Sequence, residues 1–104
     1  MSLINICKYT EIPNGSKKKF EINDKEIIIF NINNHLFAID NNCSHDEASL
    51  ENGTLDEYEI ECPMHGAKFD VRTGEVTCLP AVSEIKTYKI EIIDDFIMLE
   101  IWIF

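Results

Sequence analysis

The chain has 104 residues, 45% of them apolar, and sets 19 acidic side chains against 9 basic ones for a formal charge of −10. That length makes one domain, residues 1–104, and leaves no room for a second lobe around a large substrate, which argues against a complete multi-step enzyme. The charge would repel phosphate backbones and anionic headgroups, so no nucleic acid and no membrane are expected as partners, and a basic protein surface fits better.

Apolar residues alternate or fall in short runs, without the i, i+3, i+4, i+7 repeat of an amphipathic helix. Strands rich in Ile, Phe, Val and Tyr are expected at Asn5 to Tyr9, Lys19 to Ile22, Glu26 to Ile32 and His35 to Asp40, then at Tyr58 to Glu61, Ala67 to Asp70, Lys86 to Ile92 and Phe96 to Ile101. Pro13-Asn14-Gly15-Ser16, Asn23-Asp24-Lys25, Asn33-Asn34, Arg72-Thr73-Gly74 and Asp94-Asp95 supply residues that tolerate positive φ or tight turns. The fold class is therefore all-β, a small antiparallel sandwich or barrel. A helical turn is expected within Asp46 to Asn52. The basic run Lys17-Lys18-Lys19 suits a solvated loop or the guard of an edge strand. The apolar end, Ile101-Trp102-Ile103-Phe104, is expected to pack on the sheet.

The run Ile27 to Phe30 falls far short of the roughly 18 apolar residues of a membrane span. Met1-Ser2-Leu3-Ile4-Asn5 lacks the charged and apolar regions of a secretory signal, so a cytoplasmic address is expected. In reducing cytosol the four cysteines are more naturally metal ligands or core residues than disulfides. Cys7 and Cys78 read as small buried hydrophobes. His35, beside a turn, reads as solvated.

Two stretches break the strand pattern, Asn41 to Leu55 and Pro63 to Gly66. The first holds Cys43-Ser44-His45, and Cys62-Pro63-Met64-His65-Gly66 covers the second, with 16 residues between His45 and Cys62. Two soft thiolates and two imidazoles thus arrive as matched pairs on hairpin tips that can close on one metal centre. Asn41-Asn42, Pro63 and Gly66 let the backbone bend around it. A structural zinc site of Cys2His2 type is the competing metal reading, although zinc fingers usually keep cysteines in one knuckle and histidines in the other. Four unligated core residues is the blandest reading, and paired spacing in two breaker-rich loops gives it no packing rationale.

The pattern C-x-H, 16 residues, C-x-x-H followed by Gly66 resembles the cluster-binding signature of Rieske iron-sulfur proteins. Gly66-Ala67-Lys68-Phe69-Asp70, the turn Thr73-Gly74 and Leu79-Pro80-Ala81 are similar to segments that follow the second ligand pair in Rieske ferredoxins, the last as a proline loop over the cluster. The resemblance spans Asn41 to Ala81. It implies a cluster-binding subdomain of two hairpin loops, about residues 41–81, set in the β scaffold, and one Rieske 2Fe-2S cluster with Cys43 and Cys62 on one iron and His45 and His65 on the other.

High-potential members of that family typically carry a serine after His-Gly, a nearby tyrosine and a loop disulfide. The matching positions here are Ala67, Phe69 and the pair Ala48 and Met64, so the resemblance is to the soluble ferredoxin branch, with a potential at the low end of its range. The function it implies is electron carriage from a flavin-dependent ferredoxin reductase to a terminal oxygenase, with no substrate transformed by this chain and no catalytic residue. Asp46, Glu47 and Glu51 would make the cluster-bearing end acidic and steer partners with basic docking surfaces toward it. The small Rieske subunit of an NADH-dependent nitrite reductase is the alternative.

Overall fold

A computed structural model of the chain describes residues 2–42, 49–64, 66–79 and 83–101. Eleven strands are described: β1 (Ser2–Lys8), β2 (Lys17–Ile22), β3 (Lys25–Ile32), β4 (His35–Asp40), β5 (Thr54–Asp56), β6 (Glu59–Glu61), β7 (Lys68–Asp70), β8 (Val76–Cys78), β9 (Thr87–Tyr88), β10 (Ile90–Ile93) and β11 (Phe96–Ile101). Single 3-10 turns cover Tyr9–Glu11 and Leu50–Asn52. The strands form three antiparallel sheets, ordered β1-β11-β10, β2-β3-β4-β9 and β5-β6-β7-β8. No helix among the described residues is long and apolar enough to cross a membrane.

Three hairpins set this frame, each closed by a two-residue loop: Asn23-Asp24, Asn33-Asn34 and Asp94-Asp95. All six loop residues have positive φ, between 50° and 69°. A turn with both central residues left-handed matches the right-handed twist of its strands, and Asn and Asp accept that conformation at low cost.

The meander β2-β3-β4 is the middle layer. Ile27, Ile28, Ile29 and Phe30 of β3 are all fully buried. Side chains alternate across a strand, so Ile28, Phe30 and Ile32 enter one core with Leu50, Ile60, Ala67 and Phe69, while Ile27 and Ile29 enter another with Ile97, Leu99 and Ile101. One face of the meander thus supports the β5-β6-β7-β8 sheet and the other the β1-β11-β10 sheet. Burial on both faces explains why β3 reads as a continuous apolar run rather than an alternating one. Each such side chain contributes about 1.5–3 kcal/mol.

Several elements differ from their sequence reading. The expected strand Lys86 to Ile92 is two strands: Thr87–Tyr88 pairs with β4 and Ile90–Ile93 with β11, the chain changing sheets at Lys89. Such a crossing preserves side-chain alternation, so it leaves no mark in the apolar pattern. Thr54–Asp56 and Val76–Cys78 are strands of three residues, too short to establish a period. Leu50–Asn52 carries the only described part of the turn expected within Asp46 to Asn52, and residues 46–48 lie outside the described residues. The lysine run lies on β2, at the edge of its sheet, where Lys18 pairs with Glu11 and Lys19 with Glu26 at 3.6 Å each. Cys7 is buried as expected, and burial, with Glu11 nearby, pushes its thiol pKa up. Ile101 is buried in the core, whereas Trp102, Ile103 and Phe104 lie outside the described residues.

The turn between β7 and β8 is held by two devices. Arg72 donates from Nε and Nη2 to the two Asp70 carboxylate oxygens at 3.0 and 2.8 Å, and its guanidinium lies over the Tyr58 ring. Gly74 adopts φ +81°, and a Cβ there would collide with the Ile85 carbonyl oxygen. Gly15 has a similar φ of +85° but open space around it. Chemical denaturation will therefore show Gly15→Ala costing about 1 kcal/mol, the left-handed penalty alone, and Gly74→Ala more than about 3 kcal/mol. Equal losses would contradict the packing of Gly74 on Ile85.

The Arg72 hydrogen bonds hold the Asp70 pKa below its ordinary value. A depressed carboxyl pKa stabilises the fold above the unfolded-state value of about 3.9, and this contribution disappears as pH falls through the folded-state value. Asp70→Asn is accordingly expected to cost up to about 1 kcal/mol at neutral pH, since Arg72 is half exposed and screened, with the gap to the parent closing as pH drops below about 4. A gap that widens in acid would refute the pairing.

Candidate metal centre

The two breaker-rich loops leave the scaffold side by side. β4 ends at Asp40, and after Asn41 the chain enters the first loop, whose stem is closed by an isolated bridge between Asn42 and Ser49. The Leu50 N–H donates to the Asn41 carbonyl at 2.7 Å, and Leu50 itself is fully buried, so the returning chain is fastened to the core immediately after the loop. It then passes through Gly53 into β5, where Thr54 pairs with Glu61 of β6.

Glu61 directly precedes Cys62, the first residue of the second motif. A Cβ on Gly53 would collide with the Glu61 carbonyl oxygen, so only glycine lets the stem of the first loop lie this close to the entrance of the second. Its φ of −80° is open to any residue; space is the constraint. The second loop is closed by Cys62 N–H donating to the Ala67 carbonyl at 2.7 Å and Gly66 N–H donating to the Cys62 carbonyl at 3.2 Å. Gly66 has φ +75°, which turns the chain back into β7 without strain.

Of the four ligand candidates, Cys62 is described. Its thiol is free and it is 1% exposed, seated in the core shared with Leu50, Ala67 and Phe69. Cys43, His45 and His65 lie outside the described residues, as do Ala48, Pro80 and Ala81. Among the described residues no three metal-binding side chains come together. A free, buried thiol at the neck of one loop, with the neck of a second loop packed on the preceding residue, fits a group that takes soft thiolate from both loops and excludes water from that side.

Ala67 and Phe69 are fully buried and carry no hydroxyl, so neither side chain offers a hydrogen bond to a sulfur in this core. Met64 and Leu79, by contrast, are 56% and 73% exposed. Of the three carboxylates expected at this end, Asp46 and Glu47 lie outside the described residues and Glu51 is 3.8 Å from Lys19, which offsets its charge.

Cys78 corrects the sequence reading: it is exposed, not a buried hydrophobe. The pairing of β7 with β8 shifts register, so that Val76 faces buried Phe69 while Cys78 faces half-exposed Lys68. A bulge of this kind turns the following side chain away from the core. His35 is exposed, with Nδ1 3.0 Å from the Asn33 carbonyl oxygen. Asn41, expected from sequence only to let the backbone bend, is a fully buried hydrogen-bonding hub, and Gly53 makes a close backbone contact that no motif in the sequence marks. The signal available for Asn41 is its place two residues before the C-x-H motif; for Gly53 it is the end of a loop otherwise rich in larger residues.

Residues 2–89 match the family model described as "Rieske [2Fe-2S] domain". The chain is 40% identical over 95 residues, 90% of each protein, to the "3-phenylpropionate/cinnamic acid dioxygenase ferredoxin subunit" of Photorhabdus laumondii subsp. laumondii. It is 39% identical over 90 residues, 86% of each, to the ferredoxin component of the naphthalene 1,2-dioxygenase/salicylate 5-hydroxylase systems of Ralstonia sp.. Its fold superposes on the ferredoxin of carbazole 1,9a-dioxygenase from Nocardioides aromaticivorans IC177 with a TM-score of 0.89, at 31% identity, covering 95% of this chain and 97% of that one. With this match over most of its length and these relatives, the chain belongs to the Rieske [2Fe-2S] domain family.

Proposed function

We propose that the chain is an electron carrier, not an enzyme in itself, that moves one electron at a time from a flavin-dependent ferredoxin reductase to a terminal oxygenase. Cys43 and Cys62 hold one iron of a 2Fe-2S cluster and His45 and His65 the other. The observation that supports this reading is the apposition of the two loop stems through Gly53 and the Thr54–Glu61 pair, the sequence of one loop carrying the C-x-H motif and that of the other the C-x-x-H motif. Relatives named as ferredoxin parts of dioxygenase systems support the oxygenase as recipient.

Bound there, the cluster supplies a one-electron couple in the Rieske range, about −150 to +300 mV. The chain's own residues do the rest. Cys62 is kept from water by Leu50, Ala67 and Phe69. Ala67 and Phe69 withhold hydroxyl donors that would favour the more negative, reduced state, so the potential lies at the low end, nearer about −150 than +300 mV. The −10 charge of the chain steers partners that dock through basic surfaces, while exposed Met64 and Leu79 supply apolar contact area beside the second loop.

Purified from its host, the protein is expected to be red-brown, with two irons and two acid-labile sulfides per chain. A colourless protein holding one zinc would contradict the proposal. In a redox titration the midpoint should lie below zero. Ala67→Ser adds a hydroxyl to the core that holds Cys62; a hydrogen bond worth about 1.4 kcal/mol to the reduced form raises a one-electron midpoint by roughly 59 mV. A parent midpoint well above zero, or a lower one in the serine variant, would overturn the account of how this core sets the potential.

A further inference from the structure

We propose that Asn41 is the positioning residue of the first ligand loop: its single side chain fastens both ends of the segment that carries Cys43 and His45. This rests on the ligand reading above and adds the residue that holds half of that ligand set in place.

The geometry is specific. Asn41 is fully buried and precedes the loop by one residue, yet all four of its polar groups are bonded. Its backbone N–H donates to the Glu26 carbonyl on β3 at 2.9 Å, tying the outgoing chain to the central sheet. Its carbonyl accepts from Leu50 N–H at 2.7 Å, across the loop. Its Oδ1 accepts from Glu51 N–H at 2.9 Å, and its Nδ2 donates to Ser49 Oγ at 2.8 Å and to Glu26 Oε1 at 3.4 Å. Three of these bonds cross from the outgoing to the returning strand of the stem.

The side-chain chemistry is hard to replace. The position needs an acceptor for Glu51 N–H and donors for Ser49 and Glu26 in one short planar group, and only an amide supplies both. Aspartate keeps the acceptor, loses the donors and sets a second carboxylate beside Glu26. Alanine leaves the Glu51 N–H and the Ser49 hydroxyl without their partner and opens a space in a fully buried site. A loop so loosened still pairs through Asn42 and Ser49, but its stem loses the bonds that Asn41 makes to Ser49 and Glu51.

A fold-wide role predicts a different outcome from a positioning role, and a second buried asparagine separates them. Asn31 is 1% exposed and donates from Nδ2 to the Ile12 carbonyl at 2.8 Å. It lies on β3 five residues beyond Glu26, roughly 17 Å away by strand rise. Its loss destabilises the same scaffold without touching the loop.

The experiment compares the parent with Asn41→Ala, Asn41→Asp, Ser49→Ala and Asn31→Ala as cluster-loaded proteins. It measures the electron paramagnetic resonance spectrum of the reduced state, the rate of iron loss to a chelator and the thermal midpoint. Asn41→Ala is expected to shift or broaden the spectrum and to lose iron roughly ten- to a hundredfold faster, with Asn41→Asp and Ser49→Ala intermediate. Asn31→Ala is expected to lower the thermal midpoint with the parent spectrum retained. Should Asn41→Ala not accumulate as folded protein, Ser49→Ala, which removes one of the crossing bonds, decides by the same readouts. A parental spectrum and iron-loss rate in Asn41→Ala, or in Ser49→Ala where it decides, overturns the proposal, and so does an equal spectral change in Asn31→Ala. A parent that binds no 2Fe-2S cluster overturns the ligand reading itself, an outcome visible before any variant is made.

Discussion

Two loops that each carry one thiolate and one imidazole can serve a single centre only if their necks are held at a fixed spacing, and here that spacing is set by backbone lying on backbone. Gly53, at the exit of the first loop, rests on the Glu61 carbonyl at the entrance of the second, with no room for a side chain between them. The Thr54–Glu61 pair continues the contact into a sheet, and Leu50 and Cys62 drive both necks into the same core. Electron carriage gains from such stiffness, because a centre that keeps its ligand geometry in both oxidation states needs little rearrangement when an electron arrives.

The scaffold beneath is organised around one strand. β3 sends alternate side chains into two cores, so the sheet that carries the loops and the sheet formed by the chain's two ends are both anchored to it. The described ligand candidate, Cys62, belongs to one of these cores, and the opposite layer contributes stability. This division accounts for the placement of the two buried, free cysteines described here: Cys62 lies at the loop neck and Cys7 in the far core, where burial keeps its thiol protonated and inert.

Much of this was legible in the residues, and what was not has physical causes. Asn-Asp, Asn-Asn and Asp-Asp at hairpin tips announce left-handed turns because their conformational preference is local. The family is legible for the same reason: its motif, C-x-H and C-x-x-H, is a local matter of residue type and spacing. Illegible features depend on partners distant in the chain. The sheet change at Lys89 keeps the alternation that a single strand would show, and the bulge that exposes Cys78 is a property of its pairing with Lys68. Thr54–Asp56 is too short to declare a period. Asn41 read as a turn former because asparagine commonly is one; its role as a clamp arises only when Ser49 and Glu51 return beside it.

The central claim is mixed ligation, sulfur on one iron and histidine nitrogen on the other. Hyperfine spectroscopy of the reduced protein grown with 15N-histidine tests it directly. The account predicts two strongly coupled histidine nitrogens, assigned to His45 and His65. A reduced cluster that shows no such coupling, and thus takes all its protein ligands from sulfur or oxygen, would contradict it.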